Sequence, residues 1–152
     1  MSTLEIISIP ALLILGFTLL QWLTATVNRV FRVDYGRYNS TGNFRISVII
    51  PARNEEANIG AILGDLAAQS YTNLEIIVVN DESTDRTAEI VQKFPEVILV
   101  NAEKKDSEWL GKNYACYLGA RRAKGKYLLF LDADVRLGTN AIASTVGYYE
   151  RS

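Results

Sequence analysis

The distribution of apolar and polar positions divides the chain into two parts. Residues 6–23 form a run of 18 without a charged side chain, and apolar character continues weakly to Val27. A helix that crosses the apolar core of a bilayer needs roughly 20 residues at 1.5 Å each, so this run with its flanks is long enough. The pattern therefore predicts a transmembrane anchor over residues 1–28.

A cleaved signal peptide and a buried soluble helix are the competing interpretations of this apolar run. Signal peptides begin with basic residues, whereas Glu5 is the only charged residue before the run. Arg29, Arg32 and Arg37 follow it, and basic residues flank the cytoplasmic end of membrane helices. A single retained span in the cell membrane is favoured, with residues 29–43 as a juxtamembrane linker and the rest of the chain in the cytoplasm.

From about Phe44 onward, short apolar runs alternate with amphipathic segments. The elements predicted in chain order are strand 46–50, helix 55–69, strand 74–79, helix 84–94, strand 97–100, helix 112–123, strand 126–132 and a final amphipathic segment with Ile142, Val146 and Tyr149. In the first of these helices, four apolar residues share one face and are predicted to be buried: Ile59, Ile62, Leu63 and Leu66. Continuous apolar strands alternating with helices are typical of a parallel sheet covered on both faces, so residues 44–152 are predicted to form an α/β domain.

Polar clusters follow three of the predicted strands: PARNEE, NDESTDRT and DAD. Ligands bind outside the carboxyl ends of the strands in open parallel sheets, so these clusters predict one binding site at that edge. Asp132 and Asp134 are separated by one small residue and can project to the same side of an extended chain, where two carboxylates can hold a hard divalent cation. Strand termination and helix capping, by Asn54 or Glu55 and by the Ser83–Asp85 cluster, are the alternative explanations.

Composition narrows the chemistry that this site can perform. The 152 residues include no histidine, which excludes histidine metal ligands, histidine general bases and Ser-His or Cys-His nucleophiles. The formal net charge of -1 gives no general attraction to nucleic acid, which is not predicted as a partner. Cys116 is the only cysteine and is expected to be a small buried side chain, so no intrachain disulfide can form. Carboxylates must therefore carry any acid, base or metal chemistry.

Lys112 is a candidate for binding an anion. The Gly111-Lys112 pair is like the end of a phosphate-binding P-loop, but no glycine lies five residues earlier and Asn113 replaces the Ser or Thr of that motif. A cation at a helix start is disfavoured by the helix dipole, which favours a role facing an anion over a solvated lysine. Trp109 and Tyr114 are predicted to be core aromatics, with contact to an apolar acceptor as the alternative.

Four ordered segments carry a resemblance to a known family. They are VIIPARNEEANI (48–59), VVNDESTDRT (78–87), WLGKNYACYLGA (109–120) and LFLDADV (129–135). Together, over about residues 46–137, they resemble glycosyltransferase family 2, and the third is similar to the membrane-anchored diaponeurosporenoate and hopanoid-associated glycosyltransferases. The resemblance implies the nucleotide-binding half of a GT-A fold, with a Rossmann-like, mainly parallel sheet, and a nucleotide-sugar donor.

The resemblance also implies a set of donor-binding residues: Pro51, Ala52, Arg53, Glu55, Asp81, Lys112 and Asp132. In this assignment Glu55, with Ala52 and Arg53 nearby, lines the base and ribose, and Asp81 accepts a hydrogen bond from a ring N–H of the base. The family usually has glycine where Glu82 stands. Glycine is favoured where the backbone needs a positive φ, so the local turn at Glu82 can differ from that of the family.

For the diphosphate, the resemblance implies a Mn²⁺ or Mg²⁺ ion bound by Asp134, with Asp132 contacting the ribose or metal-bound water and Lys112 facing the anion. Such a cation would stabilise the charge on the departing diphosphate. The family's general base and a Q-x-x-R-W segment would fall beyond Ser152, and nothing supports Glu150 as that base. The chain is therefore expected to be a truncated form that binds donor and metal without turnover alone, and the catalytic base stays unassigned.

The main functional prediction is transfer of a sugar, from a donor that is UDP-linked by resemblance, to a lipid-soluble or polyisoprenoid acceptor at the cytoplasmic membrane face. A non-catalytic nucleotide-binding or interaction module is one alternative. A nucleotidyltransferase-like enzyme is another, but it should have a Gly- and Arg-rich phosphate loop after the first strand, where PARNEE supplies only Arg53.

Overall fold

In the computed structural model, residues 3–30, 44–103 and 111–151 are described, with side chains from residue 10 onward. The chain forms two compact units, one containing the N-terminal helix and the other containing the sheet. The predicted linker residues 31–43, which include Arg32 and Arg37, and the predicted core residue Trp109 lie outside the described residues.

Helix α1 extends over Thr3–Val30. Its segment Pro10–Val30, 21 residues with a mean hydropathy of 1.6, is long and apolar enough to cross a membrane. The hydroxyl groups of Thr18, Thr24 and Thr26 donate to backbone carbonyls one turn earlier, at 2.8–3.0 Å. Each hydroxyl therefore has a hydrogen-bond partner within the helix, as polar groups need in an apolar environment.

The described residues of the second unit form four strands and four helices. The strands are β1 (Ile46–Ala52), β2 (Leu74–Asn80), β3 (Val97–Asn101) and β4 (Tyr127–Phe130), and the helices are α2 (Ile59–Ala67), α3 (Thr87–Val91), α4 (Gly111–Arg122) and α5 (Ala141–Tyr149). The strands form one sheet in the order β3-β2-β1-β4, and all three pairings are parallel. The predicted α/β architecture with a parallel sheet is confirmed.

The bounds predicted for three elements next to the sheet's carboxyl ends are wrong. The helix predicted from residue 55 begins at Ile59, because the carbonyl of Glu55 accepts the N–H groups of Asn58 and Ile59 in a preceding turn. The helix predicted over 84–94 is only the short α3. Strand β4 ends at Phe130, two residues before Asp132, so the paired aspartates lie in a turn and not on the strand.

Strands β1 and β2 lie at the centre of the sheet, and helices cover both of its faces. On one face the predicted residues of α2, from Ile59 to Leu66, are buried against Val48, Ile50 and Val78. On the other face Ala115 of α4 packs with Ile77 and Val79. The contact of α4 with β1 depends on Gly119, because a Cβ there would lie 2.4 Å from Cγ2 of Ile49.

The amino ends of the strands, here called the rear edge of the sheet, contain a buried polar network. The Ser47 hydroxyl donates to the carboxylate of Glu75, which also accepts the Lys124 N–H at 2.8 Å and pairs with Arg45 at 3.2 Å. The Gly125 N–H donates to the Ser47 hydroxyl oxygen at 2.8 Å. This network fixes the turn that leads from α4 into β4.

Candidate functional site

A cavity of about 340 Å³ lies at the opposite, carboxyl ends of the strands, here called the front edge. Its lining comes from the ends of β1 and β2, the start of α4 and the turn after β4: Pro51, Ala52, Arg53, Glu55, Asp81, Gly111, Lys112, Asp132, Ala133 and Asp134. All eight site residues expected from the sequence line this one cavity. They come from four separated segments, and the parallel topology places the ends of those segments side by side.

The loops after β1 and β2 are joined by reciprocal hydrogen bonds. The Asn54 N–H donates to the Ser83 hydroxyl at 3.0 Å, and the Asn54 side-chain oxygen accepts the Thr84 N–H at 2.8 Å. Asn54 and Glu82 both have a left-handed backbone, with φ of 56° and 52°. Glu82 therefore takes the positive φ that glycine would accommodate more readily, so its side chain does not prevent this turn.

A second set of bonds joins the same loops. Asp85 accepts the N–H groups of Thr87, at 2.9 Å, and Glu56, at 3.0 Å, while the Glu55 N–H donates to the Thr87 hydroxyl at 2.8 Å. Burial tends to raise the pKa of Asp85, but these hydrogen bonds outweigh it and hold the pKa below its ordinary value. Of the predicted capping cluster, Asp85 therefore binds the start of α3, whereas Ser83 and Thr84 bind the neighbouring loop.

Asp81 projects into the cavity from the end of β2. Its N–H donates to the Ala52 carbonyl at 2.8 Å, and its Oδ2 lies 3.7 Å from the guanidinium of Arg53. The Asp81 side chain is 13% exposed, whereas that of Arg53 is 60% exposed. The Asp81 carboxylate, a hydrogen-bond acceptor, is therefore largely enclosed, whereas the Arg53 guanidinium beside it is exposed.

Lys112 and Asp132 form an ion pair across the cavity. The distance from Lys112 Nζ to Asp132 Oδ1 is 2.7 Å, and the two side chains are 64% and 56% exposed. The hydrogen bond to Asp132 and that residue's charge raise the pKa of Lys112, and the charge of Asp134 adds a smaller contribution. Lys112 is therefore a protonated cation over the neutral pH range, in contact with the first of the two aspartates of the turn.

Ala133 is buried, while Asp132 and Asp134 on either side are exposed to the cavity. Both carboxylates offer the hard oxygen ligands that Mn²⁺ and Mg²⁺ accept, and a bound diphosphate would supply further oxygens. Among the described residues, no group of three or more His, Cys, Asp and Glu side chains is arranged to hold a metal ion. The two aspartates fit a cation that is shared with a ligand, not one enclosed by protein.

Two residues that sequence reasoning did not find, Asp65 in α2 and Gln69 just after that helix, hold the segment after Asp134. Asp65 accepts two hydrogen bonds from the Arg136 guanidinium, at 2.6 and 2.9 Å, and the Leu137 N–H at 3.0 Å. Gln69 donates to the Gly138 carbonyl at 2.9 Å and accepts the Ile142 N–H at 3.1 Å. No sequence signal singles out these two side chains, because their partners are about 70 residues away.

Two further predictions about side chains in α4 need correction. Cys116 is half-buried, not fully buried as expected, and burial raises the pKa of its thiol. Tyr114 is also half-buried and stacks on Tyr117 with 6.4 Å between ring centroids, so it is not a core aromatic. Helix α4 contacts the sheet through its small residues instead, because Ala115 and Gly119 are its buried positions.

Curated proteins similar to this chain are glycosyltransferases. The chain is 44% identical over 108 residues to a 4,4'-diaponeurosporenoate glycosyltransferase of Staphylococcus haemolyticus, a match that covers 70% of this chain and 28% of that protein. It is 36% identical over 106 residues to the protein of the same name from Staphylococcus aureus, covering 69% of this chain and 28% of the relative. The chain thus spans well under a third of the length of these relatives.

The solved structures similar to this fold include two that contain a nucleotide-sugar. S. aureus TarS in complex with UDP-GlcNAc superposes with a TM-score of 0.59 at 27% identity, over 70% of this chain and 31% of TarS. The mannosyltransferase PcManGT from Pyrobaculum calidifontis, in complex with GDP-Man and Mn²⁺, gives a TM-score of 0.67 at 26% identity, over 88% of this chain and 40% of that one. Residues 47–152 match the family described as Glycosyl transferase family 2, and the chain belongs to that family.

Proposed function

We propose that this chain is the donor-binding part of a glycosyltransferase that transfers a sugar from a nucleotide-sugar to a lipid-soluble, polyisoprenoid acceptor at the cytoplasmic face of the membrane. One observation carries the donor half of this proposal. Eight residues from four separated segments line a single cavity at the carboxyl edge of a parallel sheet. A cavity of this size is within the usual range for small-molecule and cofactor sites, roughly 300–1,000 Å³.

The charges around the cavity favour a donor that binds together with a divalent cation. Among the described residues that line the cavity, four carry carboxylates, Glu55, Asp81, Asp132 and Asp134, and two are basic, Arg53 and Lys112. A bare diphosphate would therefore meet an excess of negative charge. When bound at Asp134, a divalent cation supplies the positive charge that stabilises the leaving diphosphate. Mn²⁺ is present with GDP-Man in the PcManGT structure, which supports this part of the proposal.

The roles proposed for the protein residues follow from their positions. Asp81 accepts a hydrogen bond from the base, and Glu55 accepts hydrogen bonds from the ribose hydroxyls. Lys112 exchanges its contact with Asp132 for one with the diphosphate, since an exposed ion pair in water is worth little and rearranges readily. Asp132 is then free to bind the ribose or metal-bound water.

The acceptor part of the proposal depends on α1 and on the relatives. The segment Pro10–Val30 could anchor the enzyme at a membrane, where an apolar acceptor is concentrated. Two relatives are named as glycosyltransferases of 4,4'-diaponeurosporenoate. The basic residues after the apolar run, starting with Arg29, support a cytoplasmic location for the sheet-containing unit.

Calorimetric titration of the detergent-purified chain with UDP and GDP, with and without Mn²⁺, tests the donor site. We expect saturable binding of at least one of the two nucleotides that requires Mn²⁺ and is weakened at least tenfold in Asp134→Ala. Glu89→Ala is the matched control, because Glu89 is an exposed carboxylate of α3 that does not line the cavity and pairs with Lys93, just after that helix. Absence of nucleotide binding by a chain that is folded by circular dichroism would favour the interaction-module alternative.

A further inference from the structure

Gly111, the first residue of α4, lies directly against the carboxylate of Asp81. A Cβ at position 111 would lie 2.5 Å from Asp81 Oδ2, 3.5 Å from its Cγ and 3.7 Å from its Oδ1. Real Cβ atoms essentially never approach another heavy atom within 3.0 Å, so any side chain at position 111 requires a shift. The atom that would have to move is the end of one side chain, not the backbone.

The carboxylate of Asp81 has little other freedom. Its backbone is tied to β1 by the hydrogen bond from its N–H to the Ala52 carbonyl. Its Oδ2 lies between the guanidinium of Arg53 and the bare Cα of Gly111. Because the side chain is only 13% exposed, the space left empty at position 111 determines where this acceptor oxygen sits.

We propose that Gly111 determines base specificity by leaving the room in which the Asp81 carboxylate meets the nucleobase. The inference rests on the proposed function, in which Asp81 contacts the base. The chemistry selects a base with a ring N–H, because a carboxylate is a hydrogen-bond acceptor only. Uracil and guanine carry such a group, and their N-methylated forms do not.

Gly111→Ala tests this proposal through the ratio of two affinities. UDP and 3-methyluridine 5'-diphosphate differ only in the ring N–H, and GDP and 1-methylguanosine 5'-diphosphate are the corresponding pair if GDP is the nucleotide bound. We expect the wild-type chain to prefer the unmethylated nucleotide by roughly tenfold or more, because a hydrogen bond to a charged group is lost on methylation. In Gly111→Ala this preference should fall close to one.

Further variants make the result specific to the Gly111-Asp81 contact. Gly64→Ala is the matched control, since a Cβ there meets nothing within 4 Å, and it should keep the wild-type ratio. Asp81→Ala should lose the ratio as Gly111→Ala does, and the double variant should lose no more, because contacting residues are not additive. Asp81→Ala by itself tests the base contact on which the role of Gly111 depends, so loss of the preference in Gly111→Ala but not in Asp81→Ala would contradict the inference.

The outcomes separate failure of this inference from failure of the proposed function. A wild-type chain that binds neither UDP nor GDP would overturn the proposed function. A wild-type chain that binds one of them, with a preference for the ring N–H that is lost in Asp81→Ala but kept in Gly111→Ala, would overturn the role of Gly111 alone. An Asp81→Ala variant that keeps the preference would overturn the base contact assigned to Asp81 in the proposed function.

Discussion

The charged side chains at the rear and front edges of the sheet differ in burial and in the number of their hydrogen bonds. At the rear edge, Glu75 is 4% exposed and Ser47 is fully buried, and both are held by hydrogen bonds from the turn at Lys124 and Gly125. At the front edge, the side chains of Lys112 and Asp132 are more than half exposed and are joined by one ion pair. The polar cluster at the rear edge is therefore buried and fully hydrogen-bonded, whereas the one at the front edge is exposed to solvent.

This difference indicates separate tasks for the two edges. A buried carboxylate is costly unless hydrogen bonds and a counter-charge satisfy it, so the rear network can persist only as a complete unit. An exposed ion pair contributes little to stability and can be exchanged for a ligand at small cost. Substitutions at the rear should therefore change stability, and those at the front should change binding.

Removal of the rear carboxylate should have the largest effect. Glu75→Ala leaves the Ser47 hydroxyl and the Lys124 N–H without their acceptor in a buried site, and we expect a loss of about 3 kcal/mol in the free energy of unfolding. Urea unfolding followed by circular dichroism would measure it. The exposed Glu89→Ala should change stability by less than about 0.5 kcal/mol. An equal effect of the two variants would contradict the contrast between the edges.

A Gly→Ala substitution at each edge provides a second comparison. At the rear, a Cβ on Gly125 would lie 2.5 Å from the Ser47 backbone nitrogen and 2.8 Å from the Arg45 carbonyl oxygen, neither of which can move freely. We expect Gly125→Ala to lose about 2 kcal/mol of stability by overpacking. Gly111→Ala at the front should lose less than about 1 kcal/mol, because only a side-chain end must shift. If Gly125→Ala were more stable than Gly111→Ala, the assignment of stability to the rear edge and of binding to the front edge would be wrong.

Acid should reveal the contribution of the Asp65-Arg136 pair next to the front edge. The hydrogen bonds from Arg136 and from the Leu137 N–H lower the pKa of Asp65 from 3.8 to about 2. The folded chain therefore binds this proton less readily than the unfolded chain, and the stability supplied by Asp65 is present above pH 4 and is lost between about pH 4 and pH 2.

Urea midpoints measured at intervals across this pH range would test the prediction. The difference between wild type and Asp65→Asn should be largest near neutral pH and should shrink as the pH falls toward 2. Glu89→Gln serves as the control, and its midpoints should follow those of the wild type. If the difference in urea midpoint between wild type and Asp65→Asn stayed constant across this pH range, the charge of the Asp65 carboxylate would not be the source of the stability.

The smallest effect on stability is expected at Lys112. Its pKa is raised mainly by the hydrogen bond to Asp132, but both partners are exposed. We expect Lys112→Gln to leave the urea midpoint unchanged while weakening binding of the nucleotide, UDP or GDP, in the presence of Mn²⁺, as measured by calorimetry. Lys93→Gln, which removes a similar exposed pair between Glu89 of α3 and the turn after that helix, should change neither property. A clear loss of stability in Lys112→Gln would show that the front pair is structural.

The core and the alternation of strands and helices along the chain could be predicted from the sequence, because apolar residues follow one another in the central strands. The residues of β1 from Ile46 to Ile50 are all buried, and all of them except Ser47 are apolar. The loops before α2 and α3 could not be predicted, since they are joined by hydrogen bonds between Asn54 and Ser83 or Thr84, about 30 residues apart. Local capping preferences cannot reveal such a contact.

The candidate site was only partly predictable for a similar reason. The eight expected residues lie in segments that the family resemblance identified, and parallel topology then brings them together. Gly111, Asp65 and Gln69 were not predicted because their importance comes from a neighbour in space. That neighbour is the Asp81 carboxylate for Gly111, and the segment after Asp134 for Asp65 and Gln69. No composition or periodicity distinguishes these three residues from others of their type.

The sheet order has a consequence for the time at which the cavity forms. Synthesis proceeds from the N-terminus, so β1, β2 and β3 can pair once residue 101 has left the ribosome. Strand β4 must then return to pair with β1, Ile46 with Tyr127, and contacts between such distant residues form slowly. A nascent chain therefore has Asp81 in place before Asp132 and Asp134, and the cavity that these residues line is complete only after this last pairing.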